Sequence, residues 1–520
     1  MRLLWRLLPT FVLLLVTTTV LSLSVKGIYG NPDHGAFTDD TWREKGPFEL
    51  SPERGRFALL YSLIEDKTQH FTLPVARFAL PDLGYKDGHY VSLFAPAVSL
   101  LTAPGYLVGK MLGASQVGTF AVVAVFGIIN TLLIAHTVVK IGGNKWAGVI
   151  AGLTFLFATP AYPYATTLYQ HHISSFLILA SIAILTRKLS WLGLATIWFL
   201  CALSIPVDYP NVIMMMPVGL YALTNMVSLT KENAKFVLSI GIRQIFTLLS
   251  MTIPIGIFLW FNLLTYGNPL QLAGTVRSVP AINEQGLPVT KEEVAMTNLT
   301  DLDLVIVGDE RTAASYFETR DLVTGLTTLL VSPDRGVITY TPVILLGIIG
   351  AFILYKSKPE LTAVLMATCL ANLLLYAMWG DPWGGWAFGS RYLIPAYATL
   401  SLFVGAYLSK YRHHALALSV FLLLAGYSVY INTAGALGTA ASPPKAEVLL
   451  LESRSHKRER YSYDRALEFL QTGKSKSFVW QTWLNGRISA WDYYRLIAGS
   501  ITAVVGLLTI TLYVQRDKHA

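Results

Sequence analysis

Apolar runs of about 17–25 residues recur along nearly the whole chain, each long enough for a helix to cross a bilayer. They predict spans over 7–26, 117–139, 146–163, 170–187, 189–206, 209–227, 242–265, 336–355, 359–378, 391–409, 414–433 and 496–514. Polar residues between the spans fall into two kinds. Short basic connections carry Lys140 and Lys145, Arg187 and Lys188, Lys231 with Lys235 and Arg243, Lys356 and Lys358, Lys410 and Arg412, then Arg516 and Lys518. By the positive-inside rule these face the cytoplasm, and both termini lie there too. The long segments 27–116, 266–335 and 434–495 face the other side, as do the short connections 164–172, 208–210 and 380–391. Long connections cross regardless of charge, so the basic run 454–460 does not contradict this topology.

Arg2 and Arg6 precede the first apolar run, as in a secretory signal. The run is long for a signal core and lacks a small-residue cleavage site, so a retained first helix is expected. Within the first long segment, 90–111 is apolar but broken by Pro96 and Pro104. It reads as a helix lying at the interface or re-entering the membrane rather than a thirteenth span. The expected fold class is therefore an all-α polytopic membrane protein of about twelve transmembrane helices, with a large first extracytoplasmic loop carrying interfacial helices. No internal repeat is evident. The expected organisation is one transmembrane module over 1–409 and a C-terminal part over 410–520 with its own outer segment.

Composition agrees: 53% of the 520 residues are hydrophobic and 14% charged, against about 25% charged in soluble domains. The net charge of +9 sits at helix ends, where topology and anionic lipid explain it better than nucleic acid. The two cysteines, Cys201 and Cys369, both fall in apolar spans, which excludes a disulfide framework and a cysteine metal site. Asn298-Leu299-Thr300 fits a glycosylation sequon, a match expected by chance at this length.

Candidate chemistry gathers on the outer side. The first loop holds Glu53-Arg54-Gly55-Arg56-Phe57, then Asp87-Gly88-His89-Tyr90. A carboxylate near the interface can take the proton of an acceptor hydroxyl, although an acid in so long a loop is more often a solvating group. Asp33, Asp39 and Asp40 compete for the same role. A second group runs from Thr159-Pro160 through Tyr164, Thr166, Thr167, Tyr169 and Gln170 to His171-His172, with Asp208-Tyr209-Pro210 further on. Adjacent histidines on a helix point in different directions, so joint chelation is not expected. A hydrogen bond to phosphate or sugar and an interfacial structural role stand level. The third group is Ser332-Pro333-Asp334-Arg335-Gly336, then Trp379-Gly380-Asp381-Pro382-Trp383-Gly384-Gly385-Trp386 and Gly389-Ser390-Arg391-Tyr392. The tryptophans suit an interfacial belt. Outer-side arginines gain nothing from the topology rule, and a guanidinium fork suits a phosphate. Arg391 first and Arg335 second are the candidate phosphate ligands, each weighed against an ion pair with Asp381, Asp334 or another outer acid.

In this order the pieces resemble bacterial GT-C superfamily glycosyltransferases that use phospholipid-linked sugars, relatives of protein O-mannosyltransferases and lipid A aminoarabinose transferases. The resemblance rests on Glu53 with Arg56-Phe57 and Ser62-Leu63, on Asp87-Gly88-His89-Tyr90-Val91-Ser92, and on Pro96-Ala97-Val98-Ser99-Leu100-Leu101. It continues through Tyr164…Thr166-Thr167-Leu168…His171, Ser332-Pro333-Asp334-Arg335-Gly336 and Gly384-Gly385-Trp386…Gly389-Ser390-Arg391-Tyr392-Leu393-Ile394-Pro395. It covers roughly 50–400 and departs from the family where Arg54 replaces an adjacent acid and Ala97 a glycine. The resemblance implies an inverting transferase at the outer face of the plasma membrane, moving a sugar from a polyprenyl-phosphate carrier to a lipid, glycan or protein hydroxyl. Glu53 or Asp87 is then the base, and Arg56, His89, Tyr90, His171, Asp208, Arg335, Asp381 and Arg391 are the substrate-binding residues. No cofactor and no essential metal are expected, since no compact acidic or histidine cluster is visible. The rival is a multi-pass transporter or lipid flippase, which favours midplane helix breaks and internal repeats.

Overall fold

The computed structural model describes residues 2–43, 45–232, 235–289, 312–456 and 458–515. Asn298-Leu299-Thr300, Arg516 and Lys518 lie outside them. Among the described residues, seven helices are long and apolar enough to cross a membrane, and five shorter apolar helices accompany them. Together these fall on the twelve predicted spans. The protein is an all-α polytopic membrane protein with two small accessory sheets.

In chain order the elements are α1 (Arg2–Ser24), α2 (Ser51–Tyr61), α3 (Leu73–Ala79), β1 (Leu83–Lys86), β2 (His89–Ser92), α4 (Ala97–Met111), α5 (Ser115–Lys140), α6 (Lys145–Phe157) and α7 (Ala161–Ala165). Next come α8 (His171–Leu185), α9 (Trp191–Val207), α10 (Asn211–Thr224), β3 (Val227–Glu232), β4 (Lys235–Ile240), α11 (Ile242–Tyr266), β5 (Arg277–Val279) and α12 (Leu322–Leu330). The chain ends with α13 (Pro342–Tyr355), α14 (Pro359–Ala377), α15 (Arg391–Lys410), α16 (Ala415–Leu437), α17 (Lys445–Ser455), α18 (Asp464–Gln471) and α19 (Ala490–Val514). Local chemistry sets several ends. Asn144 accepts the Trp146 N–H, Ser190 the Gly193 N–H and Ser489 the Asp492 N–H, each satisfying an orphan donor of a helix start.

The apolar segment after Ser92 forms α4, which lies against α5. A Cβ on Gly105 would sit 2.3 Å from the Gly118 carbonyl oxygen, so this close approach needs glycine on both helices. The start of that segment corrects the expectation of a helix from residue 90, because Tyr90–Ser92 belongs to β2. β1 pairs with β2 on one side and β5 on the other, joining the first and middle long connections. The last long connection joins them: Gly27 N–H donates to the Lys476 carbonyl and Phe478 N–H to the Val25 carbonyl. All three therefore meet at one end of the bundle. At the other end Asn144 donates to Gln515 and its N–H to Ser409. The helices of 410–520 share one hydrophobic core with the rest of the chain.

The connection 164–172 is enclosed: residues 158–172 are buried throughout. Thr159-Pro160 ends α6, and the chain turns inward beneath the first loop.

Candidate functional site

A cavity of about 2710 Å³ opens where the three long connections meet, with Arg56, Asp208, Asp381, Arg391 and Tyr392 in its wall. Drug-sized ligands occupy roughly 300–1,000 Å³, so there is room for two substrates at once. Ile205, Val212 and Ile213 extend the wall onto α9 and α10, and Val212 is exposed on the bundle surface. The cavity wall therefore includes apolar side chains of these two helices.

Arg56 projects from α2 and is buried. It donates to Gln170 Oε1 at 2.7 Å and to the Pro52 carbonyl at 3.0 Å, while Gln170 donates in turn to Asp208 at 3.2 Å. Burial pulls the Arg56 guanidinium down to about 10, with Asp208 opposing, so it stays charged at neutral pH. Burial likewise raises the Asp208 carboxyl above its ordinary value, against the pull of Arg56. Arg391, at the start of α15, is 9% exposed, and its Nε has no hydrogen-bond partner. It makes no ion pair among the described residues. Its guanidinium lies 5.1 Å from the Tyr169 ring centroid and 5.3 Å from that of Tyr392. Asp381 accepts the N–H groups of Gly384 and Gly385, two residues at positive φ that only glycine adopts without strain. It thereby shapes the loop beside Arg391.

Glu53 is wholly buried and absent from the cavity lining. It shares a face of α2 with Arg56, three residues on. One carboxylate oxygen caps the Leu50 N–H and the other, Oε1, has no partner. Burial, with Glu49 adding, raises its carboxyl to about 7. A carboxyl raised in the fold favours the folded state while protonated, so its contribution falls as pH rises from 4.5 through 7. Glu53→Gln is expected to melt higher than the parent above pH 7, by roughly 3 kcal/mol, and equally below pH 4.5. Thermal unfolding at pH 5 and pH 8 reads this directly; equal midpoints at pH 8 refute it.

Other expected residues lie elsewhere. Asp87 is the exposed first residue of a two-residue hairpin turn, Asp87-Gly88, both at positive φ, ordinary Asp-Gly turn chemistry, and like Glu53 it is not part of the cavity wall. His89 is exposed and stacks on His70 at 4.2 Å, and Tyr90 donates to the Gly286 carbonyl. Neither lines the cavity. His171 is buried parallel to Tyr169, with Nε2 unpartnered, whereas His172 turns away to the Ala161 carbonyl. The two histidines do diverge. Arg335 is corrected as a phosphate ligand. It is fully buried, outside the cavity, and gives its donors to the carbonyls of Asp334, Trp383, Gly385 and Ser442.

Sequence reasoning missed Glu49. It lines the cavity and pairs with the buried Lys26 at 3.0 Å and Lys476 at 3.9 Å, and it accepts the Ala440 N–H. Burial alone would raise its carboxyl; Lys26, then Lys476, hold it at about 2. Lys26, a cation immediately after the first apolar helix, was the available signal. Two arginines of the basic run 454–460 are paired with acids at the rim. Arg458 pairs with Glu452 at 3.0 Å and Arg460 with Glu468 at 3.5 Å, while nearby Arg465 pairs with Glu459 at 2.9 Å. No group of three or more potential metal ligands occurs among the described residues.

No protein-family model and no curated protein matches the sequence. Among solved structures the chain is similar to ArnT from Cupriavidus metallidurans bound to undecaprenyl phosphate, with a TM-score of 0.47 at 12% identity over 98% of this chain and 77% of that one. It is also similar to the oligosaccharyltransferase AglB from Archaeoglobus fulgidus, with a TM-score of 0.40 at 12% identity over 99% of this chain and 57% of that one.

Proposed function

We propose that the protein is an inverting glycosyltransferase of the GT-C type, acting at the extracytoplasmic face of the plasma membrane. Its donor is a sugar on a polyprenyl phosphate, and its acceptor is a hydroxyl of a lipid, glycan or protein. The observation that carries this reading is the pair of buried guanidiniums, Arg56 and Arg391, in a cavity whose wall runs onto an apolar helix surface. A phosphate with a long hydrocarbon tail matches both features. The acceptor oxygen attacks the anomeric carbon, the bond from that carbon to the phosphate oxygen breaks, and the acceptor proton passes to Glu53. Arg391 stabilises the charge that develops on the leaving phosphate. A carboxyl near 7 with an unpartnered oxygen on the Arg56 face supports Glu53 as the base. Residues 1–409 form the catalytic module, and the last long connection adds Thr439, Ala441, Arg465 and Lys476 to the cavity wall.

The test is turnover of a panel of radiolabelled polyprenyl-phosphate sugars by detergent-purified protein. One donor is expected to release sugar to an acceptor in membrane extract. Arg391→Ala is expected to lower kcat/KM about 100- to 1,000-fold, and Glu53→Gln to lower kcat about 100-fold or more. Loss in Asp208→Asn with Glu53→Gln unaffected would move the base to Asp208. No turnover of any donor, with labelled lipid or solute crossing proteoliposomes, would replace the enzyme with a transporter.

A further inference from the structure

Tyr169 is the common neighbour of the charged groups in this site. The Arg56 guanidinium carbon lies 5.6 Å from its ring centroid and that of Arg391 lies 5.1 Å away. His171 lies parallel to it at 5.7 Å, and Tyr164 meets it edge-on at 5.0 Å. The ring is 1% exposed, so these contacts fix it. Two buried cations drawn to one place repel each other, and the electron-rich face of an aromatic ring offsets part of that cost. The hydroxyl is the second observation. Those of the neighbouring Tyr162 and Tyr164 are partnered, by Ser24 Oγ and by the Phe388 N–H, but that of Tyr169 has none. A buried hydroxyl left unsatisfied is costly, and this one belongs to the ring that both guanidiniums contact.

We infer that Tyr169 is a positioning residue: its ring fixes Arg56 and Arg391, and its hydroxyl donates to the anionic oxygen they bind. The inference rests on the glycosyl-transfer reading only for the identity of that anion. The ring orients both guanidiniums before the ligand arrives, and the phenol supplies a neutral donor that adds no further like charge.

The experiment compares the full-length wild type with Tyr169→Phe and Tyr169→Leu, measuring polyprenyl phosphate binding, the thermal shift with inorganic phosphate, and donor kinetics. Tyr169→Phe is expected to melt like the wild type and bind polyprenyl phosphate about tenfold more weakly, with donor KM raised by a similar factor and kcat largely kept. Tyr169→Leu is expected to lose about 100-fold in binding, because both guanidiniums lose their platform. Unchanged binding in Tyr169→Phe overturns the hydroxyl's role, and unchanged binding in Tyr169→Leu overturns the ring's. If no donor is turned over but anion binding still falls from Tyr to Phe to Leu, the inference stands and the glycosyl-transfer reading fails. If donor turnover is robust and both variants match the wild type, the reading stands and the inference fails. A wild type that binds neither anion overturns the inference.

Discussion

Glu49→Gln is expected to cost about 3–5 kcal/mol of stability, because it leaves two buried ammonium groups without their shared carboxylate. Lys26 and Lys476 are almost wholly out of solvent, and Glu49 is the carboxylate within 4 Å of both. The group also ties four segments. Lys26 follows α1, Glu49 precedes α2, Ala440 follows α16, and Lys476 follows α18, where its ammonium also holds the Lys45 and Gly46 carbonyls at 2.7 Å each. The pH dependence has a definite sign. The Glu49 carboxyl sits near 2 in the fold, below its ordinary 4.5. Its contribution is complete above pH 4.5 and is lost as pH falls towards 2. Thermal unfolding in detergent at pH 7 should show the large drop in Glu49→Gln. The double variant Lys26→Met/Glu49→Leu should recover part of it, since one of the two ammonium groups left without Glu49 is then gone and only Lys476 remains. A single variant that melts with the wild type would mean that Lys26 and Lys476 are satisfied without Glu49.

Arg335→Lys is the second large effect, expected at about 3 kcal/mol or more, with Arg335→Ala larger still. The guanidinium makes four hydrogen bonds of 2.7–2.9 Å to carbonyls of three separate segments. Each buried carbonyl left without a donor costs about 1–3 kcal/mol. An ammonium cannot reproduce the planar fork that reaches Trp383 and Gly385 on one side and Ser442 on the other. The loop carrying Gly384 and Gly385 beside Arg391 should loosen, so the donor KM rises as a consequence of lost structure. The discriminating result is the order of events. A lowered melting midpoint together with weaker donor binding fits a clamp. An unchanged midpoint with lost phosphate binding would make Arg335 a ligand after all.

The two arginines show how far the sequence reaches. Both stand in similar glycine- and proline-rich surroundings, and nothing local separates them. Arg391 faces a ring and a cavity, whereas Arg335 is enclosed by carbonyls from residues 48, 50 and 107 positions away, and from its own neighbour. That difference arises from tertiary packing. Asp87 is the converse. Its role as a turn was legible, because Asp-Gly between two short runs of alternating residues is a hairpin signal. The buried 164–172 connection was not legible from hydropathy, which measures polarity and cannot report that other loops fold over a segment.

The sequence by itself determined the twelve apolar helices and their order, because a helix in a bilayer must satisfy its own backbone and so shows as a local apolar run. It also placed Arg56, Asp208, Asp381 and Arg391 together on one side of the bundle, since the parity of the spans fixes the side of every connection. Tertiary structure alone decided which charges meet. Glu49 finds Lys26 and Lys476 across hundreds of residues, Tyr169 gathers two guanidiniums, and Arg335 closes on backbone instead of facing the cavity. Such pairings depend on how long connections fold against one another, and no local pattern records that.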